Sequence, residues 1–169
     1  MVRGVTAPCR DRPLQCIRVP ARRPALRSAK HFDLRRHLPH LLRRAHFEAE
    51  ALFASMSDDG ATSRQMALLV AVHQMPGASQ SQVAQAIGLD LNTCSDLVAR
   101  TVAKGYLVRR RSETDRRTFC LDLTETGREV MAASVAVAPR YQARLAARLD
   151  KDEREQLTAL LRKMLGFDE

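Results

Sequence analysis

Apolar residues first fall into register at Leu34. Leu34, Leu38, Leu41, Leu42, Ala45, Ala49, Leu52, Phe53 and Met56 lie three and four apart, a pattern that predicts a single amphipathic helix. Pro39 either kinks that helix or sits in its first turn, and Asp58-Asp59-Gly60 ends it. Thr62 with Gln65 forms a capping box before a very apolar segment from Met66 to Met75, and Pro76-Gly77 stops it. Ser79 with Gln82 forms a second capping box, for a short helix that ends at Gly88, and Asp90 caps a fourth helix that runs to Gly105.

Beyond Gly105 the period falls from 3.6 to 2. Tyr106 to Arg111 reads as one strand, and Phe119, Leu121 and Leu123 alternate with Thr118, Cys120 and Asp122 in another. The polar, charged residues 112–117 join them as a hairpin loop. Thr124 then caps a long helix expected to reach about Leu149 with a break at Pro139, and Asp150 starts a last helix striped by Leu157, Leu160, Leu161, Met164 and Leu165. The expected fold is mainly α with a small β-hairpin, divided as a tail over 1–30, a helix region over 31–60, a helix-turn-helix with hairpin over 61–128 and helices over 129–169.

Charge sharpens this division. The chain of 169 residues carries a net +9, but residues 1–30 hold eight basic residues against one acidic, leaving twenty against eighteen elsewhere. That first stretch also has Pro8, Pro13, Pro20 and Pro24 and no apolar period, so it reads as a disordered basic tail. It is either an arm for phosphates, a solvated extension or a misassigned start. No apolar run approaches the ~18 residues of a membrane span, and the Arg-rich start lacks the apolar core of a secretory signal. Cys9, Cys16, Cys94 and Cys120 form no CxxC pair, which points away from a disulfide framework or zinc knuckle. With five Phe, two Tyr and no Trp, there are few platforms for stacking single-stranded bases. No nucleophile triad, phosphate-cradling glycine loop or metal box is visible. The expectation is therefore a soluble cytoplasmic protein, not an enzyme, with no cofactor and no bound metal.

The helix from Asp90 carries the chemistry. At about 100° per residue, Leu91, Cys94, Leu97, Val98, Thr101 and Val102 fall on one arc suited to packing. The opposite arc presents Asn92, Asp96, Arg100 and Ala103, with Thr93 and Lys104 at its edge. Short polar side chains followed by an Arg suit the base edges of a major groove. The hairpin places Arg109, Arg110, Arg111, Arg116 and Arg117 against Glu113 and Asp115, and Arg suits a narrow minor groove. Asp115 is expected to act inside the protein, since phosphate repels a carboxylate. Helix, turn, helix and basic hairpin together make a winged helix-turn-helix.

The stretch from Thr62 to Gly127 resembles the MarR family of bacterial transcriptional regulators. The residues that carry the likeness are Pro76-Gly77 before Ser79-Gln80-Ser81, the run Val83 to Gly88, Thr93 with Leu97-Val98, Lys104 to Val108, Asp115-Arg116-Arg117 and Leu123 to Gly127. The resemblance implies a homodimer joined through its first and last helices, a palindromic operator in double-stranded DNA, and repression relieved by a small molecule or oxidant. It implies that Asp115 orders the wing and Arg117 enters the minor groove. Asn92, Thr93, Asp96 and Arg100 then face the major groove, Arg116 joins Arg117 in the wing, and Ser79, Gln80, Ser81, Gln82 and Lys104 position phosphates.

Two departures set this chain apart. Asp96 stands where relatives often carry a basic residue, Arg in the urate-responsive branch, and Thr101-Val102 stand where Leu and an acid are usual. For the effector, the family pattern places a crevice beside the first helix, so His37, His40 or Arg44 could hold the carboxylate or phenol of an aromatic acid. The alternative is that these side chains simply face solvent. Oxidant sensing through Cys120 or Cys94 and nonspecific, architectural DNA binding driven by the basic tail are the competing functions.

Overall fold

The computed structural model describes residues 32–57, 60–111 and 119–167. The tail over 1–30 and the wing-tip residues Asp115, Arg116 and Arg117 lie outside the described residues. Contacts divide the chain between His37 and Leu38. In the first unit Asp33 accepts from the Arg35 N–H and caps a short 3-10 turn, Leu34–Arg36.

In the second unit, α1 (Leu38–Ala54) starts one turn later than the apolar spacing predicts. Proline explains the correction. A helix running through from Leu34 would drive the Pro39 ring into the carbonyl four residues back, whereas in the first turn its missing N–H costs nothing. Next come α2 (Ser63–Gln74), α3 (Gln80–Ala86) and α4 (Leu91–Ala103). Both predicted capping boxes form, Thr62 with Gln65 and Ser79 with Gln82. The helix α4 ends where Gly105, at φ 75°, takes the left-handed conformation that lets the Tyr106 N–H reach the Thr101 carbonyl.

Strands β1 (Leu107–Arg111) and β2 (Phe119–Leu123) pair antiparallel, with Leu107 opposite Leu123 and Arg111 opposite Phe119. An isolated bridge between Ser79 and Cys120 attaches the hairpin to the residue that caps α3. Period two sends Leu121 and Leu123 inward. With Leu107 they close a core made by Leu68, Leu69 and Val72 of α2, Val83 and Ala84 of α3, and Cys94, Leu97 and Val98 of α4.

The chain then enters α5 (Glu125–Leu145), capped by Thr124, and α6 (Lys151–Leu165), capped by an Asp150–Glu153 box. The expected break at Pro139 is absent: the proline lies within α5. The Val135 carbonyl that it leaves without an N–H partner belongs to an exposed residue that water can reach. The helix also stops short of Leu149. Arg154 Nε donates to the carbonyls of Ala146 (3.1 Å) and Leu149 (3.0 Å), fixing the turn between the two helices. α5 returns to α1, where Tyr141 donates its hydroxyl to the Ala49 carbonyl (3.1 Å) and meets Phe53 edge to face at 5.5 Å.

Candidate nucleic-acid interface

The helix α4 is fixed at its start by one carboxylate. Asp90 accepts from the N–H groups of Asn92 (3.0 Å) and Thr93 (2.9 Å) and from the Thr93 hydroxyl (2.5 Å). The Thr93 hydroxyl, followed by the Thr93 N–H, holds the Asp90 carboxyl below its ordinary value. The negative charge sits where the helix dipole favours it.

One side of α4 is pinned. Cys94, Leu97, Val98 and Thr101 are buried. Leu91, expected on the same arc, is instead 57% exposed. It occupies the first position of the helix, one turn before the buried Cys94. The opposite side is open: Asn92, Asp96, Ala99 and Arg100 are exposed and Thr93 is half-buried. Arg100 Nε donates back to the Asp96 carbonyl (3.3 Å), which sets the stem of the guanidinium along the helix.

Several residues expected to hold phosphates have work inside the protein. The Ser79 N–H and hydroxyl both donate to Gln82 Oε1, at 2.8 and 2.9 Å. Gln80 Oε1 accepts from Arg109 (3.4 Å), tying wing to α3, while Ser81 is exposed. Lys104 Nζ donates to the Gly60 carbonyl (2.9 Å) and to Gln65 Oε1 (3.2 Å) and lies 5.7 Å from the Tyr106 ring centre. Its ammonium thus spends two of its three donors holding the start of α2 against the end of α4, a role that its place at the edge of the polar arc did not disclose.

Gln65 is the centre of that latch. It is 4% exposed, accepts from the Thr62 N–H through the same Oε1 (3.2 Å), and donates Nε2 towards the Thr101 hydroxyl (3.5 Å). Thr101 in turn donates to the Leu97 carbonyl (2.7 Å). The departure from the family pattern at Thr101 is therefore a buried polar partner for Gln65.

The wing carries less free charge than the arginines alone imply. Arg110 is paired with Asp122 across the hairpin, and that pairing first of all holds the Asp122 carboxyl below its ordinary value. Arg111 lies over the Phe119 ring at 5.6 Å. Asp122 sat on the polar phase of β2, and the cross-strand register needed to pair it with Arg110 was the missing signal.

Gly127 is the other residue that the motif contained without its reason. A Cβ there would lie 2.0 Å from the Tyr106 carbonyl oxygen. The Thr124 N–H donates to that oxygen (3.1 Å), and the Thr124 hydroxyl donates to the Gly105 carbonyl (2.6 Å). The first turn of α5 is thereby seated on the turn that links α4 to the wing.

Of the residues considered for an effector, His40 and Arg44 lie one turn apart on α1 and His37 belongs to the first unit. His37 meets Phe32 at 4.8 Å in the first unit. His40 is half-buried and shares a hydrogen bond with Arg43 (3.0 Å), and Arg44 is exposed and paired with Glu48 (3.6 Å). Cys94 is fully buried, its thiol towards the Gln80 carbonyl at 3.9 Å. Burial, and then the Asp90 charge, raise its pKa, which disfavours the thiolate that oxidation requires. Cys120 is half-buried. Among the described residues no helix is long and apolar enough to cross a membrane.

Comparison with known proteins agrees with this geometry. Residues 59–118 match the sequence model of the MarR family. The chain is 30% identical over 139 residues to the HTH-type transcriptional repressor NicR of Pseudomonas putida, covering 82% of this chain and 88% of that one. Its fold is similar to that of the PcaV transcriptional regulator from Streptomyces coelicolor, solved with its natural ligand. The TM-score is 0.74, with 31% identity and coverage of 82% and 98%. It is also similar to BpsR of Bordetella bronchiseptica, whose DNA binding is regulated by 6-hydroxynicotinic acid. Here the TM-score is 0.68, with 30% identity and coverage of 75% and 97%.

Proposed function

This chain belongs to the MarR family of transcriptional regulators, a family of regulators and not of enzymes, and from that premise we propose that it is a homodimeric repressor that binds a palindromic operator and releases it on meeting a small aromatic or phenolic ligand. The observation that carries this reading is the two-sided recognition helix. Cys94, Leu97, Val98 and Thr101 lock one side to the core, and the other presents Asn92, Asp96 and Arg100 to solvent. Such a face can enter a major groove without disturbing the fold. Asp96 favours a cytosine amine over a phosphate oxygen, and Arg100 favours guanine or phosphate. Thr93, with its hydroxyl proton committed to Asp90, offers a methyl group to thymine.

Arg116 and Arg117 serve the minor groove beside this helix, with Asp115 ordering the loop that carries them. The exposed Ser81 and the first turn of α3 take phosphate. Lys104 contributes its remaining donor and its charge from the latch. Repression is supported by the likeness to NicR, a repressor, and ligand response by the likeness to BpsR, whose DNA binding is regulated by 6-hydroxynicotinic acid; no observation favours the oxidant or the nonspecific architectural reading.

Footprinting on the DNA that flanks the chain's own gene tests the proposal, with scrambled DNA as control. The expected result is a protected palindrome whose half-sites lie about 34 Å apart, one helical turn. Protection that ignores sequence and disappears with salt would overturn it. Arg117→Ala is expected to cost about 1–3 kcal/mol of operator binding with the fold intact.

A further inference from the structure

The open side of α4 is shallow along its middle. Asn92, Asp96, Ala99 and Ala103 are exposed and fall within about 60° of one another around the helix. All four side chains are short, and two of them end at Cβ. A helix with such a face can lie close to the floor of a major groove, where even an aspartate reaches the base edges. Arg100 stands at the border of this strip, one turn beyond Asp96. The two are spaced to form an ion pair along the helix, but Arg100 Nε donates to the Asp96 backbone carbonyl instead (3.3 Å). The Asp96 carboxylate therefore has no ion pair, and the terminal amino groups of Arg100 no hydrogen-bond partner, among the described residues. Both groups are open to a partner from outside the chain.

From this arrangement we infer that Asp96 fixes the operator's sequence: it makes a cytosine obligatory in each half-site, and Arg100 sets a guanine about two base pairs from it. The inference rests on the proposed regulator and gives two letters of its operator. Electrostatics decides the first letter. Phosphates on both edges of the groove repel a carboxylate, so Asp96 adds nothing to sequence-independent binding. Only an amine on the groove floor offsets the cost of taking the carboxylate out of water, and the major groove offers two, N4 of cytosine and N6 of adenine. Guanine and thymine present acceptors there, and adenine sets its N7 acceptor beside its amine. Cytosine alone offers a donor with no acceptor beside it on the same base. Geometry decides the second letter. Arg100 lies about 6 Å further along the helix axis, close to two base steps of about 3.4 Å, and its fork fits guanine O6 and N7.

Selection of duplexes from a random pool by the full chain, followed by competition anisotropy on the selected duplex and its single-base-pair variants, tests the assignment. The wild type is expected to demand one C·G pair in each half-site. Changing that pair to T·A should weaken binding about tenfold or more, because a carbonyl then faces the carboxylate. Asp96→Asn, a change at an exposed residue, is expected to move the preference at that position to adenine, which an amide fits with one donor and one acceptor. Asp96→Ala should lose the preference there and keep those at other positions. Arg100→Ala should keep the cytosine and lose the guanine. A selected motif with no obligatory cytosine overturns the inference. So does an Asp96→Ala protein that keeps the wild-type preference at every position, whether its overall affinity holds or rises. An Arg100→Ala protein that binds every duplex more weakly by the same factor makes Arg100 a phosphate contact and overturns the spacing. A pool that yields no motif at all sinks the regulator itself, whereas a motif that Asp96→Ala reads as the wild type does sinks this inference alone.

Discussion

The winged-helix body and the last helix read alike as sequence, each with apolar residues at helical spacing, and they end in opposite states. From α2 to β2 most of the large apolar side chains turn inward, with Leu68, Leu69, Val83, Val98, Leu107 and Leu121 at 1% exposure or less, while Leu91, Val108 and Phe119 stay exposed. No residue of α6 is buried, and Leu157, Leu160, Met164 and Leu165 stand between 46% and 61% exposed. Leu145 at the end of α5 and Leu38 and Leu41 at the start of α1 are open as well. The body closes because α2, α3, α4 and two strands converge on one another. Among the described residues the stripe of α6 is left uncovered. A stripe of this kind draws its stability from a surface outside the subunit, and a second copy offers the same stripe by symmetry.

The largest test of that contrast is Leu160→Asp. In a homodimer the new carboxylate must be buried without a partner, at a cost of several kcal/mol. The variant is expected to sediment as a monomer at micromolar concentration while its helical circular dichroism persists. A dimer that survives unchanged would place the subunit interface elsewhere.

Gly127→Ala probes the body instead. The added Cβ meets a backbone carbonyl that cannot swing away, so urea unfolding is expected to show a loss of about 2 kcal/mol or more. Gly88→Ala, where open space surrounds the added carbon and only the positive φ opposes it, is expected to cost about 1 kcal/mol. Equal losses at the two sites would remove the close seating of α5 on Tyr106 from the account.

Arg100→Ala separates function from packing. Its exposed side chain adds little to the core, so the melting temperature should hold while operator affinity falls by about 1–3 kcal/mol. Affinity that survives the change would move recognition away from this side of α4.

The smallest expected effect is electrostatic. Asp122 has its carboxyl held below the ordinary 3.8 by Arg110. A depressed folded pKa means stability that is present above 3.8 and lost as pH falls through the lower folded value. Acid unfolding of Asp122→Asn should therefore lack a small part of the slope below pH 4 that the wild type shows. Identical slopes would make the pairing with Arg110 energetically silent, as exposed pairs often are.

These sites also show what a sequence discloses. The caps at Thr62, Ser79, Asp90, Thr124 and Asp150 were legible because cap and partner lie within three residues, and the hairpin because period two is local. Cys94, Leu97, Val98 and Thr101 followed from the same local geometry. Gln65 with Lys104, Gly127 with Tyr106, and Tyr141 with Ala49 are contacts between distant segments that no local period encodes. Pro39 and Pro139 divide on the same ground. Each removes one N–H, and only the surroundings decide whether the helix starts there or continues through it.

The most direct test of the central claim is the ratio of affinities for operator and scrambled duplex, measured by fluorescence anisotropy across a range of salt. A recognition helix that reads bases predicts a ratio of about 10³ or more that persists as salt rises. Equal affinities that fall together with salt would mean that the basic charge, and not the exposed side of α4, holds the DNA.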